Sequence, residues 1–336
     1  MQITRRGALS AGAGALAMPA LPKYARAAEF VWRLGHTAPA SFPLHVRLLE
    51  AAATIARESG GRIELNVVGD SQLGNQMGLL GQVRSGALEM TPVTGQALAS
   101  AIAIAALPLT GFAFTGYDAL WPAMDGALGK LVRDQIASRV GLVAMERCLD
   151  FGFRQITSSA KPVRVAADLD GQRIRIAGET DLVTLFRAFK AVPLSLPLGS
   201  LVQALRERIV DAQEGPLPLI VAARLFEAQS DCALTNHVWD GQWLCMNGNT
   251  WNRLPDRFKP IVADALNAAA LAQREDSAQM EFAMVDFLSA QGMIVATIDQ
   301  LSFRDRLRTA GYYKELRARF GEEPWAALEK FTGRLA

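Results

Sequence analysis

Two arginines in a stretch of about sixty residues carry the chemistry this chain advertises. Arg154 sits in Phe151-Gly-Phe-Arg-Gln-Ile-Thr-Ser-Ser159, and Arg175 closes Arg173-Ile-Arg175, with Asp211-Ala-Gln-Glu-Gly-Pro216 following. A guanidinium offers two parallel N–H donors that match both oxygens of a carboxylate, and it stays charged at any working pH. A buried lone arginine is costly, so each needs either a permanent acid or a ligand that brings one. The structural alternative is a salt bridge inside a strand, and the turn residues Gln213 and Glu214 supply candidates for it. Gln213 or Glu214 could bond a ligand hydroxyl. Equally, Glu214 could hold Arg154 or Arg175, which is the favoured role.

These side chains must be positioned by alternating strands and helices. Phe30–Gly35 alternates as a first strand. A helix over residues 44–59, stopped by Gly60 and Gly61, leads to a second strand over 62–67 and another helix ending near Ser85. That rhythm implies βα units and a largely parallel sheet. A helix over 119–138, strands over 141–146 and 151–156, and the Asp170-Gly171 turn lead to the strand carrying Arg173 and Arg175. Strict alternation puts those two on one face and Ile174 and Ile176 on the other, with Arg175 nearer the strand's end. Residues 256–291 run as one helix, with Pro255 and Pro260 at its start and Gly292 at its end. Such a helix of some thirty residues spans roughly 45 Å, more than one lobe of this size, so a strut behind two lobes is expected.

The chain begins with Thr4, Arg5 and Arg6, a short apolar run and Ala25-Arg-Ala27, the pattern of a secretory leader over residues 1–28 with a twin-arginine look. That leader removes Arg5, Arg6, Lys23 and Arg26 and no acid, so 35 basic residues less these four leave 31 against 33 acidic. A nearly neutral surface argues against nucleic acid, which needs a clustered basic face. No later run is long and apolar enough to span a bilayer. The remaining chain exceeds what one core normally serves, so two lobes are expected. Cys148, Cys232 and Cys245 permit at most one bridge. Cys232–Cys245 is the candidate in an oxidising compartment, against three free thiols.

The chain resembles the DctP-type solute-binding proteins of tripartite ATP-independent periplasmic (TRAP) transporters over nearly its whole mature length. The landmarks are Ser71-Gln-Leu-Gly74, Gln82-Val-Arg-Ser-Gly86, Arg154-Gln-Ile-Thr157, Arg173-Ile-Arg175, Val210-Asp-Ala-Gln-Glu214, Thr235-Asn-His237 and Trp251-Asn-Arg-Leu-Pro255. The resemblance implies an α/β, two-lobed periplasmic binding protein fold (class II-like) with a ligand cleft between the lobes and a long helix spanning both. It implies lobe I over 29–153 plus about 241–280 and lobe II over 154–240 plus about 281–336. Arg175 matches the arginine that pairs with the ligand carboxylate, and Arg154 matches a supporting one. Departures fall around that grip. Gly215 stands where an amide is usual and leaves room, Ala177 replaces a proline, Ser200 a glutamate, and Gln76 a frequent glutamate.

The expected function is therefore extracytoplasmic capture of a small organic acid and its delivery to TRAP integral membrane subunits in the periplasm, without a cofactor. His36, at the end of the first strand, Gln76, Gln213 and one or two of the aromatics Phe112, Phe114, Trp239 and Trp243, read as loop residues, would shape the pocket, a core role being the favoured one for any single aromatic. His36, His45 and His237, read as isolated, make no zinc site. The same fold could serve as a periplasmic ligand sensor for a receptor. An exported enzyme acting on an acid lacks a nucleophile–base pair, a phosphate loop and a nucleotide fingerprint.

Overall fold

The computed structural model describes residues 27–177 and 181–336; residues 1–26 of the expected leader lie outside them. Among the described residues eleven strands are formed: β1 (Phe30–Gly35), β2 (Ile63–Val68), β3 (Met90–Thr94), β4 (Leu142–Ala144), β5 (Leu149–Ser158), β6 (Arg173–Ile176), β7 (Val192–Ser195), β8 (Ala212–Pro216), β9 (Asp231–Leu234), β10 (Trp239–Asn247) and β11 (Ile294–Thr297). Their main path runs β2-β1-β3-β10-β5-β8-β6-β7. β1 pairs in parallel with β2 and β3, and β6 in parallel with β7 and β8, as βα units require. The sheet is nevertheless mixed, because β5 and β10 run antiparallel to their neighbours. Each of these two long strands serves both halves of the molecule.

β5 is the crossing strand. Leu149 and Asp150 pair with β10, whereas residues 154–158 pair with β8 and residues 156–158 also with β9. Gly152 lies between, at φ +88°, a conformation that costs a side-chain-bearing residue energy. Between the pairs Trp239–Phe153 and Gly241–Asp150 the register shifts, because Phe151 and Gly152 stand against the single Asp240, so the extra residue of the bulge is on β5. β5 therefore bends where the two halves of the sheet meet.

The strut is a single helix, Lys259–Ala290, with Pro260 in its first turn and Gly292 at φ +90° just beyond its end. Its 32 residues span about 48 Å at 1.5 Å each. Val262, Leu266 and Ala270 enter a core with Leu48 and Ile55 of the helix Pro43–Glu58 and Leu34 of β1. Leu288, five turns further on, enters a separate core with Leu201, Leu205 and Ile220. Arg274 fastens the strut midway, bonding Asp125 through both terminal nitrogens at 2.9 Å and the Cys148 carbonyl at 2.8 Å.

Two expectations need correction. The helix read over 119–138 is two, Tyr117–Met124 and Ala127–Gln135, followed by a π turn at Ile136–Val140. Gly126 adopts a non-helical backbone between them, with the Pro122 carbonyl occupying the space a Cβ would need. Trp239 and Trp243 lie on strand β10 rather than in loops, and they are buried with Phe112 and Phe114. All three cysteines are free and buried.

Candidate functional site

Arg154 and Glu214 reach one another because β5 and β8 pair with Ile156 opposite Glu214, which puts even-numbered β5 residues and Glu214 on one face. Arg154 donates through Nε to Glu214 Oε2 at 2.5 Å and through Nη2 to Oε1 at 2.8 Å. Its Nη1 donates to Asp240 Oδ2 at 2.8 Å, Asp240 lying on β10 opposite the bulge in β5. His237 Nε2 lies 3.3 Å from Glu214 Oε2, and His237 Nδ1 lies 2.7 Å from the Thr235 hydroxyl. An ionised Glu214 only accepts, so Nε2 carries the imidazole proton and Nδ1 accepts from Thr235.

The electrostatics agree with that geometry. Burial alone would raise the Glu214 carboxyl, but the charge and bonds of Arg154, with the His237 bond, hold it down at about 2. Burial lowers His237, so its ring is neutral, and burial raises Asp240 against the pull of Arg154. Arg154 thus spends its charge on two permanent acids. Glu214 is the holder of Arg154, the role favoured for it from the sequence.

Arg175 sits differently. β6 pairs with β8 so that Arg175 stands beside Gln213, and Gln213 stands opposite Thr157 on β5. These three share the face opposite Arg154. Arg175 is 2% exposed and donates from Nε to the Leu196 carbonyl at 2.9 Å. Among the described residues its Nη1 has no hydrogen-bond partner, and it makes no ion pair. Gln213 donates to Thr157 Oγ1 at 2.9 Å and leaves its own Oε1 unpartnered. Burial lowers the Arg175 pKa, Glu214 opposes this from a distance, and the Arg154 charge adds to it. Arg173, its neighbour on the strand, instead faces water and pairs with Asp211 at 2.7 Å.

The other expected site residues scatter. Gly215 leaves no open room, since a Cβ there would lie 3.3 Å from Leu219 Cδ2 and 3.5 Å from Gln213 Oε1. Gln76 donates its amide to the Pro92 carbonyl at 2.9 Å, tying its helix to β3. His36 is not isolated: its Nε2 is 2.9 Å from His45 Nδ1, and burial followed by His45 lowers it to about 4. Among the described residues no group of three or more His, Cys, Asp or Glu could hold a metal ion. Trp239 donates to Asp150 Oδ1 at 2.8 Å.

A cavity of about 270 Å³ opens beside this region, lined by Arg154, Trp239 and Asp240 of the crossing strands, Gln96 and Ser100 from one side, and Tyr312 from the other. Sequence reasoning missed Asp240 and gave His237 no role. An acid directly after a tryptophan in an apolar strand was the available signal for Asp240, whereas nothing local tied His237 to Glu214.

Two half-sheets joined by crossing strands, a strut along both, and buried arginines at the junction define a two-lobed binding protein. Residues 34–315 match the bacterial extracellular solute-binding protein family 7, DctP. The chain is 26% identical over 271 residues to the sialic acid-binding periplasmic protein SiaP of Vibrio cholerae, covering 81% of this chain and 83% of that one. It is 29% identical over 306 residues to an uncharacterised protein of Sinorhizobium fredii, covering 90% of this chain but 56% of that longer one. A TRAP periplasmic solute-binding protein from Ochrobactrum anthropi, solved with its C-terminus bound in the ligand-binding pocket, superposes with a TM-score of 0.86 at 25% identity, covering 92% and 97% of the two chains. The chain belongs to family 7 of the bacterial extracellular solute-binding proteins, the DctP family. Among the described residues no helix is long and apolar enough to cross a membrane.

Proposed function

We propose that this protein binds a small organic acid in the periplasm through Arg175 and delivers it to the integral membrane subunits of a TRAP transporter. The observation that carries the reading is the contrast between buried arginines. Arg154 and Arg274 have carboxylate partners, whereas Arg175 keeps a buried, unpartnered Nη1 among the described residues. A ligand carboxylate would complete Arg175 with charge-assisted bonds, and the unpartnered Gln213 Oε1 would accept from a neighbouring ligand donor. The family supports capture of a solute, and relatives that bind sialic acid or succinate support a carboxylate. Arg154, Glu214 and Asp240, on the other face of the sheet, would not pair with the carboxylate. Lobe I would comprise 29–153 plus about 241–280, and lobe II 154–240 plus about 281–336, closing on the solute about the crossing strands.

The test is a thermal-shift screen of the purified protein against mono- and dicarboxylates, run beside Arg175→Ala. Ligand bound to the native state raises the melting temperature by mass action. Stabilisation of wild type and at least a hundredfold weaker binding in the variant is expected. Equal stabilisation of both would remove Arg175 from the site.

A further inference from the structure

Behind the crossing strands lies an acid pair, Asp150 buried and Glu281 half-buried, that carboxylate recognition does not use. Tyr117 Oη is 2.8 Å from Asp150 Oδ2 and 3.2 Å from Glu281 Oε2. A phenol has one proton to give. Asp150 receives it, because Asp150 is already the better-satisfied carboxylate: Oδ1 accepts from Trp239 Nε1 at 2.8 Å and from the Gly152 amide at 3.1 Å. The Glu281 contact is then attractive only if Glu281 brings its own proton and donates it to the Tyr117 oxygen. Its other oxygen, Oε1, is buried and meets no bonding geometry among the described residues, although the nearby Phe153 amide favours the ionised form.

Placement gives the pair its significance. Tyr117 is on the helix Tyr117–Met124, Asp150 is on β5, and Glu281 is on the strut. Glu281 Oε1 packs against Gly152, where a Cβ would come within 2.1 Å of it. Gly152 is the positive-φ residue at which β5 passes from one half of the sheet to the other. The strut is fastened here a second time: Gln273 donates to the Asp150 carbonyl at 2.6 Å and accepts from the Asp150 amide at 2.8 Å.

We propose that Glu281 is a protonated carboxylic acid in mildly acidic solution, and that its proton latches the strut to the crossing strand, so that losing it as the pH rises through neutrality loosens the hinge between the lobes.

The charged neighbours leave the pair without a compensating cation. Arg274, the basic group that Asp150 feels, is committed to Asp125 and stacks over Trp121 at 3.9 Å. Arg147 also pairs with Asp125. Arg47, from the helix Pro43–Glu58, is held by Asp276 and Glu50. The helix Leu217–Ala222 and strand β11, both packed on the strut, contain no titratable residue. Consistently, burial first and Asp150 second raise Glu281 from 4.5 to about 7. Such an acid binds more protons folded than unfolded between those values, so its ionisation erodes stability as pH rises from about 4.5 to 7. The shift corresponds to a factor on the order of a hundred in the folding equilibrium.

The experiment compares wild type, Glu281→Gln and Asp150→Asn without ligand between pH 5 and 9. Infrared difference spectra should show a protonated carboxylic acid in wild type at pH 6 that titrates near pH 7 and is missing in Glu281→Gln. Asp150→Asn, which removes the repelling charge, should bring that midpoint down toward the ordinary glutamate value. Unfolding midpoints of wild type should fall relative to Glu281→Gln as pH rises to 7, then run parallel. Small-angle scattering should show wild type expanding between pH 6 and 8.5 while Glu281→Gln stays unchanged. Absence of the protonated-acid band, or a midpoint indifferent to Asp150→Asn, would overturn the shared proton. A titrating band with unchanged scattering in wild type would overturn the latch. If Glu281→Gln does not fold, Asp150→Asn and wild type decide the matter alone.

Discussion

The two buried arginines beside β8 have opposite surroundings. Arg154 meets Glu214 on two bonds and Asp240 on a third, so its cluster is complete without a ligand. Arg175, across β8 on β6 and on the other face, has a backbone carbonyl and, among the described residues, an unpartnered nitrogen. A saturated guanidinium contributes to folding, and an unsaturated one is held at a cost that a ligand can relieve. Residue type does not distinguish these roles; the neighbours do.

The largest effect should come from breaking the saturated side. Glu214→Ala leaves Arg154 bound only to Asp240 and His237 without its acceptor, and should cost about 3–5 kcal/mol in denaturant unfolding. Next comes acid. Because Glu214 is held at about 2 when folded, its stabilisation is present above its ordinary value of 4.5 and is lost as pH falls from about 4.5 toward 2. Melting curves of wild type should fall through that window, and Glu214→Gln should flatten the fall. On the unsaturated side, Arg175→Ala should leave unliganded stability within about 1 kcal/mol of wild type or raise it, since burying the guanidinium costs energy that Leu196 only partly offsets. A loss as large as that of Glu214→Ala would make Arg175 structural too. Smallest of all, Arg173→Ala removes an exposed pair with Asp211 and should change neither melting temperature nor ligand affinity measurably.

Local patterns carried the framework. β1 matches its alternation from end to end, and the strut lies within three residues of its proline and glycine signals at either end. The break at Gly126 was missed because the apolar spacing continues across it on both sides. The site was less legible. Arg154 and Arg175 look alike as strand arginines, and the partners that separate them lie 60 and 86 residues from Arg154. Trp239 reads as a loop residue because it falls on no periodic apolar stripe, yet it lies in β10 opposite Phe153. The pairing of His36 with His45 joins a strand end to a helix, and no residue pattern records it.

Sequence by itself determined the composition of this protein's working parts: a two-lobed α/β chain, a strut helix, and arginines suited to a carboxylate. Those follow from periodicity, turn chemistry and motif spacing, which act over a few residues. Tertiary structure decided which arginine is spoken for, which glycine is packed shut against Leu219, and which acid must keep its proton beside Tyr117. Each of those is settled by burial and by the partner that strand register delivers, and both exist only once distant segments have met.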